Sequence, residues 1–345
     1  MKSILDIDIK NKIILLRSSL NVSIKNNKIT NDFKLKKSIP TIKYLIKNKC
    51  KIIICGHIGR PDKDKNKYSC KIIKTRLEKL IGKKIQFCNN FKEIKTKLNK
   101  GNILLLENLR FNKGEINNNK DFSKKLSQLA EIFVQDSYET IHRKHASIIG
   151  IPKFIPTYAG LLLNEEYNII KNSLQKIKKP YTLILGGGKS DKLDIIKYNK
   201  NKIDNILIGG GNANRLIDSK KKINHKIILP VDFIYDKENK RRDIGKESIE
   251  LFCKLLKKSK TIIWCGPMGV FENKKFENGT KKIAQFISKL KSIKIIGGGE
   301  SSNAIIKYKL QNKMTHVSTG GGATLELLKN KIPPGINAII KSQKN

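Results

Sequence analysis

Four runs of three glycines are the most unusual chemical feature of the second half of the chain. They lie at 186–188, 209–211, 297–299 and 320–322, and together hold half of the 24 glycines. Glycine lets the backbone approach a ligand closely, and a helix that begins beside it directs its positive dipole end at an anion. One such turn is often only a steric requirement of a strand-to-helix connection, whereas four predict a nucleotide phosphate site. None of them matches GxxxxGK[ST], or GxGxxG with an acidic ribose ligand at the right distance.

Basic and polar residues mark the first half instead. Arg60, Arg110 and Arg143 each follow a short apolar run, in a chain where lysine far outnumbers arginine. The planar guanidinium makes paired hydrogen bonds to carboxylate or phosphate that lysine cannot make. Any one of these arginines is explained by a surface ion pair, but the three together favour a small-anion site. Other polar residues after these runs are Arg17, Asn21, His57, His142 and His145.

A small anion on one half and a nucleotide on the other predict phosphoryl transfer. If the acceptor is a carboxylate, it is already ionised at neutral pH and needs no general base. Such a site requires positioning and positive charge more than acid–base groups. This chemistry suits a chain with five histidines and no pattern of a Ser-His-Asp triad or a metal-binding His/Cys cluster.

The elements that position these groups are short apolar runs separated by helix-length segments. This alternation is typical of buried parallel strands with βαβ connections, whose ligands bind beyond the carboxyl ends of the strands. Ten strands exceed one sheet, so we predict an α/β fold of two doubly wound, Rossmann-like parallel sheets. The predicted strands are Ile13–Leu16, Ile52–Cys55, Ile103–Leu106, Ile132–Val134, Thr182–Leu185, Ile206–Ile208, Ile227–Leu229, Thr261–Trp264, Ile293–Ile296 and Thr315–Val317.

Two domains are also expected from the length of 345 residues. Leu161–Leu174 has apolar residues at helical intervals, and Pro180 ends the pattern before the next strand. We therefore predict a first domain at 1–157, a linking helix and hinge at 158–178, and a second domain at 179–330. The C-terminal segment 331–345 is expected to pack back on the first domain.

The formal net charge of +43 invites a nucleic-acid interpretation. The lysines are spread over every segment rather than concentrated on a face or tail, so we expect no specific nucleic-acid binding, only a weak attraction to polyanions at low salt. No apolar stretch of eighteen residues and no secretion signal is found. The six cysteines form no C-x-x-C pair and predict reduced thiols. We therefore expect a cytoplasmic protein without a membrane partner.

Read in order, the motifs resemble those of the phosphoglycerate kinase family from about residue 12 to residue 337. In the first half, GHIGRP resembles S-H-x-G-R-P, LLLENLRF resembles L-L-E-N-x-R-F, and HRKHAS resembles H-R-A-H-A-S. In the second half the matching segments are LGGGKSDK, WCGPMGVFE, GGGES and STGGGATLELL. The resemblance implies a monomer that uses Mg²⁺ with ATP or ADP and closes about a hinge. It implies reversible phosphoryl transfer between 1,3-bisphosphoglycerate with ADP and 3-phosphoglycerate with ATP, in glycolysis and gluconeogenesis.

The same resemblance implies roles for individual residues. Those expected at 3-phosphoglycerate are Ser19, Asn21, Lys34, His57, Arg60, Arg110 and Arg143. Those expected at the nucleotide are Gly186, Gly187, Lys189, Lys192, Gly210, Pro267, Glu272, Gly298, Gly299, Glu300 and Ser301, with Glu300 near Mg²⁺ through the phosphates. Those expected to act on the transferred phosphoryl group are Lys34, Lys189, Gly320, Gly321 and Gly322.

Several positions depart from the family pattern. Lys34 replaces the catalytic arginine and loses its bidentate fork. Ser19 replaces a substrate-binding aspartate, Glu300 a metal-associated aspartate, and Cys265 the asparagine of W-N-G-P. The KSDK segment is one residue short, and the segment 241–245 is shortened and lacks the family's adenine-side glycine.

These departures predict a slower enzyme and leave two alternatives open. One is a phosphotransferase with another acid substrate, against which the three retained arginines argue. The other is a catalytically weakened or inactive relic that binds nucleotides or polyanions. The glycine runs, Glu272 and Lys189 argue against the relic, because a binding relic has no reason to keep them.

Overall fold

The structure is a computed structural model that describes residues 1–61, 66–199, 201–219 and 226–344. It divides into two compact units, the first formed by Met1–Tyr167 with the segment from Ile332 onwards, and the second by Asn168–Lys331. None of the helices within the described ranges has both the length and the apolar character that crossing a bilayer requires.

The first unit is built on a six-stranded parallel sheet, in the order β5-β6-β4-β1-β7-β8, with a small antiparallel hairpin, β2–β3, beside it. Its strands are β1 (Ile13–Arg17), β2 (Ser23–Lys25), β3 (Lys28–Asn31), β4 (Lys51–Cys55), β5 (Gln86–Cys88), β6 (Ile103–Leu106), β7 (Ile132–Gln135) and β8 (Thr157–Ala159). Its helices are α1 (Phe33–Lys47), α2 (Lys71–Ile81), α3 (Ile94–Lys100), α4 (Lys113–Ile116) and α5 (Lys120–Ser127), followed by α6 (Leu161–Gln175), which continues into the second unit.

Both faces of this sheet are buried, which explains the continuous apolar runs. In β1, Ile14 and Leu16 belong to one hydrophobic cluster, whereas Leu15 belongs to the cluster on the opposite face. All three side chains are fully buried. The sheet is therefore a rigid support whose carboxyl edge presents the polar residues that follow each strand.

The second unit repeats this architecture with a parallel sheet in the order β11-β10-β9-β14-β15-β16, and has a separate hairpin, β12–β13. Its strands are β9 (Tyr181–Leu185), β10 (Asn205–Ile208), β11 (Ile227–Ile228), β12 (Phe233–Tyr235), β13 (Arg241–Ile244), β14 (Thr261–Cys265), β15 (Ile293–Ile296) and β16 (His316–Val317). Its helices are α7 (Asp194–Asn199), α8 (Gly210–Asp218), α9 (Lys246–Lys257), α10 (Asn278–Ser288), α11 (Gly299–Lys307) and α12 (Gly321–Leu328).

The last helix, α13 (Pro334–Ser342), returns to the first unit. Gly335 donates a backbone hydrogen bond to Ile141 at 2.9 Å, and the Ser342 hydroxyl accepts one from the Thr157 N–H at 3.0 Å. The C-terminal segment is thus hydrogen-bonded to the first unit.

The prediction of two doubly wound parallel sheets is confirmed, and all ten predicted strands are present. The sequence analysis missed the four strands of the two hairpins, and in the main sheets it missed β5 and β8, which complete the first sheet at its two edges. Both have three residues, and Gln86 of β5 is exposed. Strands this short at a sheet edge lack the buried apolar run that revealed the others.

A buried carboxyl group holds the start of α6. One oxygen of Asp136 accepts hydrogen bonds from the N–H groups of Leu162, at 2.9 Å, and Leu163, at 3.3 Å. Burial, and to a smaller extent the nearby Glu166 carboxylate, raises the pKa of Asp136 to about 8 against the opposing effect of the hydrogen bonds that it accepts. The folded protein therefore keeps a proton on this side chain at pH values where the unfolded chain has lost it.

This proton makes the stability contribution of Asp136 fall as pH rises. The unfolded pKa is near 4 and the folded pKa about 8, so the contribution is fully present below pH 4 and declines up to pH 8. We compare the free energy of unfolding of Asp136→Asn with that of the wild type at the same pH. We expect this difference to favour the variant by about 1–3 kcal/mol more at pH 8.5 than at pH 5. Urea unfolding at both pH values measures this. The exposed Asp121→Asn is the matched control, and a pH-independent difference for Asp136→Asn would contradict the assignment.

Candidate active site

The carboxyl edge of the first sheet brings basic side chains together. We call this set the basic cluster; its members are Arg17, Lys34, His57, Arg110, Arg143 and His145. His57 experiences the charges of Arg17, Arg110 and Lys34, and His145 those of Arg110, Arg17 and Arg143. Each residue except Lys34 lies at or after the end of a strand of the sheet, and Lys34 lies in the first turn of α1.

Arg17 and His145 are the residues of this cluster that the sequence analysis did not assign to the site, and Arg17 is the more deeply buried of the two. It is fully buried and donates hydrogen bonds to the Ser147 hydroxyl at 3.0 Å and the Ser18 carbonyl at 2.8 Å. Its third contact joins its Nη2 atom to Nδ1 of His57 at 3.1 Å. An arginine directly after a buried strand in a lysine-rich chain was the available signal. Its position indicates that it orients His57.

Both histidines of the cluster are neutral at neutral pH. Burial lowers the pKa of His57 well below its usual value, and the charge of Arg17 lowers it further. Burial, followed by the charges of Arg110, Arg17 and Arg143, lowers the pKa of His145 to about 4. The positive charge at this edge therefore comes from arginine and lysine, while the imidazoles supply neutral hydrogen-bonding groups.

Arg110 has an unusual hydrogen-bonding state. Its NH1 donates to the Gly59 carbonyl at 2.7 Å, while its buried Nε has no hydrogen-bond partner among the described residues. Burial and the charge of Arg17 lower its pKa to about 10, which leaves it charged at neutral pH. The Gly59 N–H donates to the Asn21 side chain at 2.9 Å, so one glycine joins two predicted substrate residues.

The other two predicted substrate arginines, Arg60 and Arg143, have exposed side chains.

Two predicted residues make contacts that sequence reasoning did not anticipate. Lys34 forms an ion pair with Glu139, a residue that follows β7. Ser19 is fully buried, and its hydroxyl lies 3.4 Å from that of Ser137.

The second unit contains a cleft of about 300 Å³ at the carboxyl ends of β9, β10 and β14. Five predicted nucleotide residues line it: Gly187, Gly210, Pro267, Glu272 and Glu300. Further lining residues that the sequence analysis did not select include Asn214, Phe233, Arg241, Asp243, Met268 and Val270. They come from the β12–β13 hairpin, from α8 and from the loop after β14. Met268 and Val270 lie within the WCGPMGVFE segment, which could have identified them, whereas Asn214 and Phe233 lie in no motif that the sequence analysis recognised.

Two of the glycine runs are needed for close backbone packing. A Cβ on Gly186 would lie 2.1 Å from the Pro267 carbonyl oxygen, and Gly187 donates to that same oxygen at 2.8 Å. Two N–H groups in the first turn of α8 are also occupied, because Gly210 donates to the Met268 carbonyl and Asn212 donates to the Gly187 carbonyl. These runs therefore shape the cleft wall.

The other two runs place two helix N-termini side by side. Neither α11 nor α12 has a capping side chain at its start. A Cβ on Gly321 would lie 2.4 Å from the Cα of Gly298, and Gly298 has a φ of 115°, in the region that favours glycine. Glycine thus lets these two starts meet. Helix N-termini without a capping side chain are the kind of backbone geometry that binds anions in proteins.

Side chains of the lysine and serine motifs take different positions around the cleft. Lys189 is exposed, whereas Lys192 is buried, donates to the Gly186 carbonyl at 3.1 Å, and lies 3.5 Å from a carboxylate oxygen of Glu300. The buried Ser301 hydroxyl accepts from the Gly266 N–H at 2.6 Å. Cys265 is fully buried and does not line the cleft.

A sequence model of the family described as phosphoglycerate kinase matches residues 4–225 and 212–331. Together these ranges cover nearly all of the chain. The chain belongs to the phosphoglycerate kinase family.

Individual phosphoglycerate kinases are similar to this chain in sequence and in structure over nearly its whole length. The phosphoglycerate kinase of Finegoldia magna is 39% identical over 389 aligned residues, which cover 98% of both chains. That of Dictyoglomus turgidum is 38% identical and covers 97% of this chain and 98% of its own. The crystal structure of the Pyrococcus horikoshii phosphoglycerate kinase superimposes with a TM-score of 0.91 at 27% identity, with full coverage of both chains. The structure of the Coxiella burnetii phosphoglycerate kinase superimposes with a TM-score of 0.80 at 31% identity, and the match covers 98% of both chains.

Family membership confirms the predicted kinase function and does not favour the alternative of an inactive binding relic. The substrates of this family are phosphoglycerate and ATP or ADP.

Proposed function

We propose that the basic cluster of the first unit binds 3-phosphoglycerate and that the cleft of the second unit binds the adenine nucleotide. The reaction is reversible phosphoryl transfer between 1,3-bisphosphoglycerate with ADP and 3-phosphoglycerate with ATP. The observation that carries this assignment is the difference between the two sheet edges. One carries the buried Arg17 and the partly buried Arg110, whose Nε has no hydrogen-bond partner among the described residues, and the other carries glycine-lined backbone and two adjacent helix N-termini.

On the first unit, we propose that Arg60, Arg110 and Arg143 hold the phosphate and carboxylate of 3-phosphoglycerate. The unpartnered Nε of Arg110 is a preformed donor, since a buried guanidinium N–H is costly unless a ligand satisfies it. His57, held by Arg17, and Asn21 complete the proposed contacts. We assign Ser19 a position near the substrate through its bond to Ser137. The acceptor carboxylate is ionised at neutral pH, so no residue has to remove a proton from it.

On the second unit, we propose that Glu272 binds the ribose hydroxyls and that Gly186, Gly187, Gly210 and Pro267 form the wall against the nucleotide. The starts of α11 and α12 bind phosphate oxygens through Gly298, Gly299 and Gly320–Gly322. Lys189 is exposed directly after the Gly186–Gly188 run, and we propose that it neutralises the phosphoryl group in transfer. We propose the same role for Lys34. We propose that Lys192 and Ser301 support the loops from within, where their hydrogen bonds hold Gly186 and Gly266.

We also propose Mg²⁺ bound with the nucleotide phosphates. Among the described residues, no group of three or more His, Cys, Asp or Glu side chains is placed to hold a metal by itself. Mg²⁺ is commonly held by one or two carboxylates together with substrate phosphates, and Glu300 fits this role. Its side chain is 49% exposed and lies in the first turn of α11 within the cleft. When bound, the ion would neutralise charge on the phosphates.

We further propose that the enzyme works as a cytoplasmic monomer without a specific nucleic-acid or membrane partner. All six cysteines are free thiols, which suits a reducing compartment. We assign the 3-phosphoglycerate domain to 1–157 with 331–345, the hinge to 158–178 and the nucleotide domain to 179–330. The division of the structure between Tyr167 and Asn168, inside α6, supports a hinge in this helix.

The assignment of the nucleotide to the cleft is tested by Glu272→Ala. We expect the Kd for ADP to rise about tenfold or more, because a charged hydrogen bond to a ribose hydroxyl is lost, while the Kd for 3-phosphoglycerate stays unchanged. Isothermal titration calorimetry with each ligand separately measures both. Glu250→Ala, an exposed carboxylate on α9 of the same unit, serves as the control. Unchanged ADP affinity in Glu272→Ala would remove the nucleotide from this cleft.

A further inference from the structure

The ion pair between Lys34 and Glu139 lies inside the proposed substrate site. Lys34 belongs to the first turn of α1, and Glu139 to the short turn Tyr138–Thr140 that follows β7. The lysine Nζ donates a hydrogen bond to Oε2 of the glutamate. The lysine side chain is 24% exposed and the glutamate side chain only 6%. This pair is more shielded from water than an ordinary surface salt bridge.

The other oxygen of Glu139 is buried and has no hydrogen-bond partner within the described part of the chain. Lys34 is therefore the partner that neutralises this carboxylate. Glu115, the second buried acid near the cluster, differs, because it accepts hydrogen bonds from both the N–H and the hydroxyl of Ser147 at 2.9 and 2.7 Å. Glu115 is fixed to the protein framework, whereas Glu139 is fixed to a residue proposed to contact the substrate.

Electrostatics place Glu139 within the basic cluster. Its charge acts on Arg110, whose pKa it raises against the larger opposing effects of burial and Arg17. Lys34 in turn acts on His57. A carboxylate in this position resembles the anion that the cluster is proposed to bind, since it presents the same functional group to the same lysine.

We propose that Glu139 is an internal anion that competes with the substrate for Lys34. This inference rests on the proposed function of the first unit as the 3-phosphoglycerate site. In the free protein Lys34 is engaged by Glu139, and the entering substrate must share or displace that contact. Glu139 therefore weakens substrate binding, and it acts through the position of Lys34 rather than on the reacting atoms.

Removing the charge of Glu139 is therefore expected to strengthen binding. We expect Glu139→Gln to lower the Kd for 3-phosphoglycerate about three- to tenfold, because one negative charge near an anionic ligand is removed. In steady-state assays the KM for 3-phosphoglycerate should fall by a similar factor. The Kd for ADP should not change. Titration calorimetry at fixed ionic strength measures the two affinities.

Two further variants separate competition from a merely structural effect. Glu131→Gln removes one negative charge elsewhere in the first unit, where Glu131 pairs with Lys12 at 3.0 Å, and should leave the Kd unchanged. In a Lys34→Gln background, Glu139→Gln should lose most of its effect, since the lysine it occupies is gone. Glu139→Ala replaces Glu139→Gln if the latter does not fold, and the same gain is expected.

The outcomes are distinct. Tighter 3-phosphoglycerate binding that disappears in the Lys34→Gln background supports the competition. Unchanged or weaker binding in the Glu139 variants, with a wild type that binds 3-phosphoglycerate normally, overturns it and leaves the proposed function intact. A wild type that binds ADP but not 3-phosphoglycerate overturns the substrate assignment itself, and this inference with it.

Discussion

Lys189→Ala is expected to lower kcat by roughly 10²- to 10³-fold, the usual cost of removing one group that stabilises transition-state charge. Lys189 is exposed directly after the Gly186–Gly188 run, next to the cleft. Lys192, in contrast, is buried and bonded to the Gly186 carbonyl, so it cannot take over the role without breaking that contact. Because Lys189 is assigned to the group in transfer, the KM values for both substrates should change much less than kcat. Steady-state kinetics with ATP and 3-phosphoglycerate measure all three constants.

The control for this variant is Lys197→Ala in α7 of the same unit. Its side chain is 77% exposed and pairs with Asp194 at 3.2 Å, so its removal takes away one positive charge without touching the cleft. Lys197→Ala should retain wild-type kinetics. Equal losses in the two variants would mean that net charge rather than the position of Lys189 matters, and would contradict its assigned role.

Arg110→Ala is expected to reduce kcat/KM for 3-phosphoglycerate by roughly 10²-fold or more. A charged, partly desolvated hydrogen-bond donor contributes about 2–3 kcal/mol to binding an anion. The loss should appear mainly as a higher KM and Kd for 3-phosphoglycerate, with the Kd for ADP unchanged. Arg110→Lys should recover only part of the loss, because lysine lacks the fork that meets two oxygens. Titration calorimetry and steady-state kinetics provide these values.

Arg76 offers a matched arginine in the same unit. It pairs with Asp32 through Nε and NH2 and is not part of the basic cluster. Arg76→Ala should leave 3-phosphoglycerate affinity unchanged, whatever it does to stability. If Arg110→Ala bound 3-phosphoglycerate as the wild type does, the anion would have to lie elsewhere on the protein.

Ten of the strands and the two-sheet architecture were predictable because buried parallel strands leave continuous apolar runs. Leu183 and Ile263, for example, are buried in runs that no solvent-facing strand would keep. The short edge strands β5 and β8 were not predictable on this basis. Their pairing depends on β6 and β7, which offer a free edge, and not on an apolar pattern of their own.

The sequence predicted which residues form the candidate site but not which residues they contact. Arg110 stood out because few arginines remain in this chain, but its unpartnered Nε depends on how the Gly59 loop folds over it. The partner of Lys34 was also hidden, since Glu139 lies 105 positions away and no motif links the two. The glycine runs were identified by count, yet only the structure separates those that pack the cleft wall from those that begin α11 and α12.

The central claim is that this chain transfers a phosphoryl group between ATP and 3-phosphoglycerate. The most direct test is ATP consumption by the purified wild type, followed through a coupled reaction that detects ADP, with 3-phosphoglycerate and Mg²⁺ present or omitted one at a time. We predict turnover that requires both and stops when 3-phosphoglycerate is left out. ADP binding in the cleft without any turnover that depends on 3-phosphoglycerate would contradict the account.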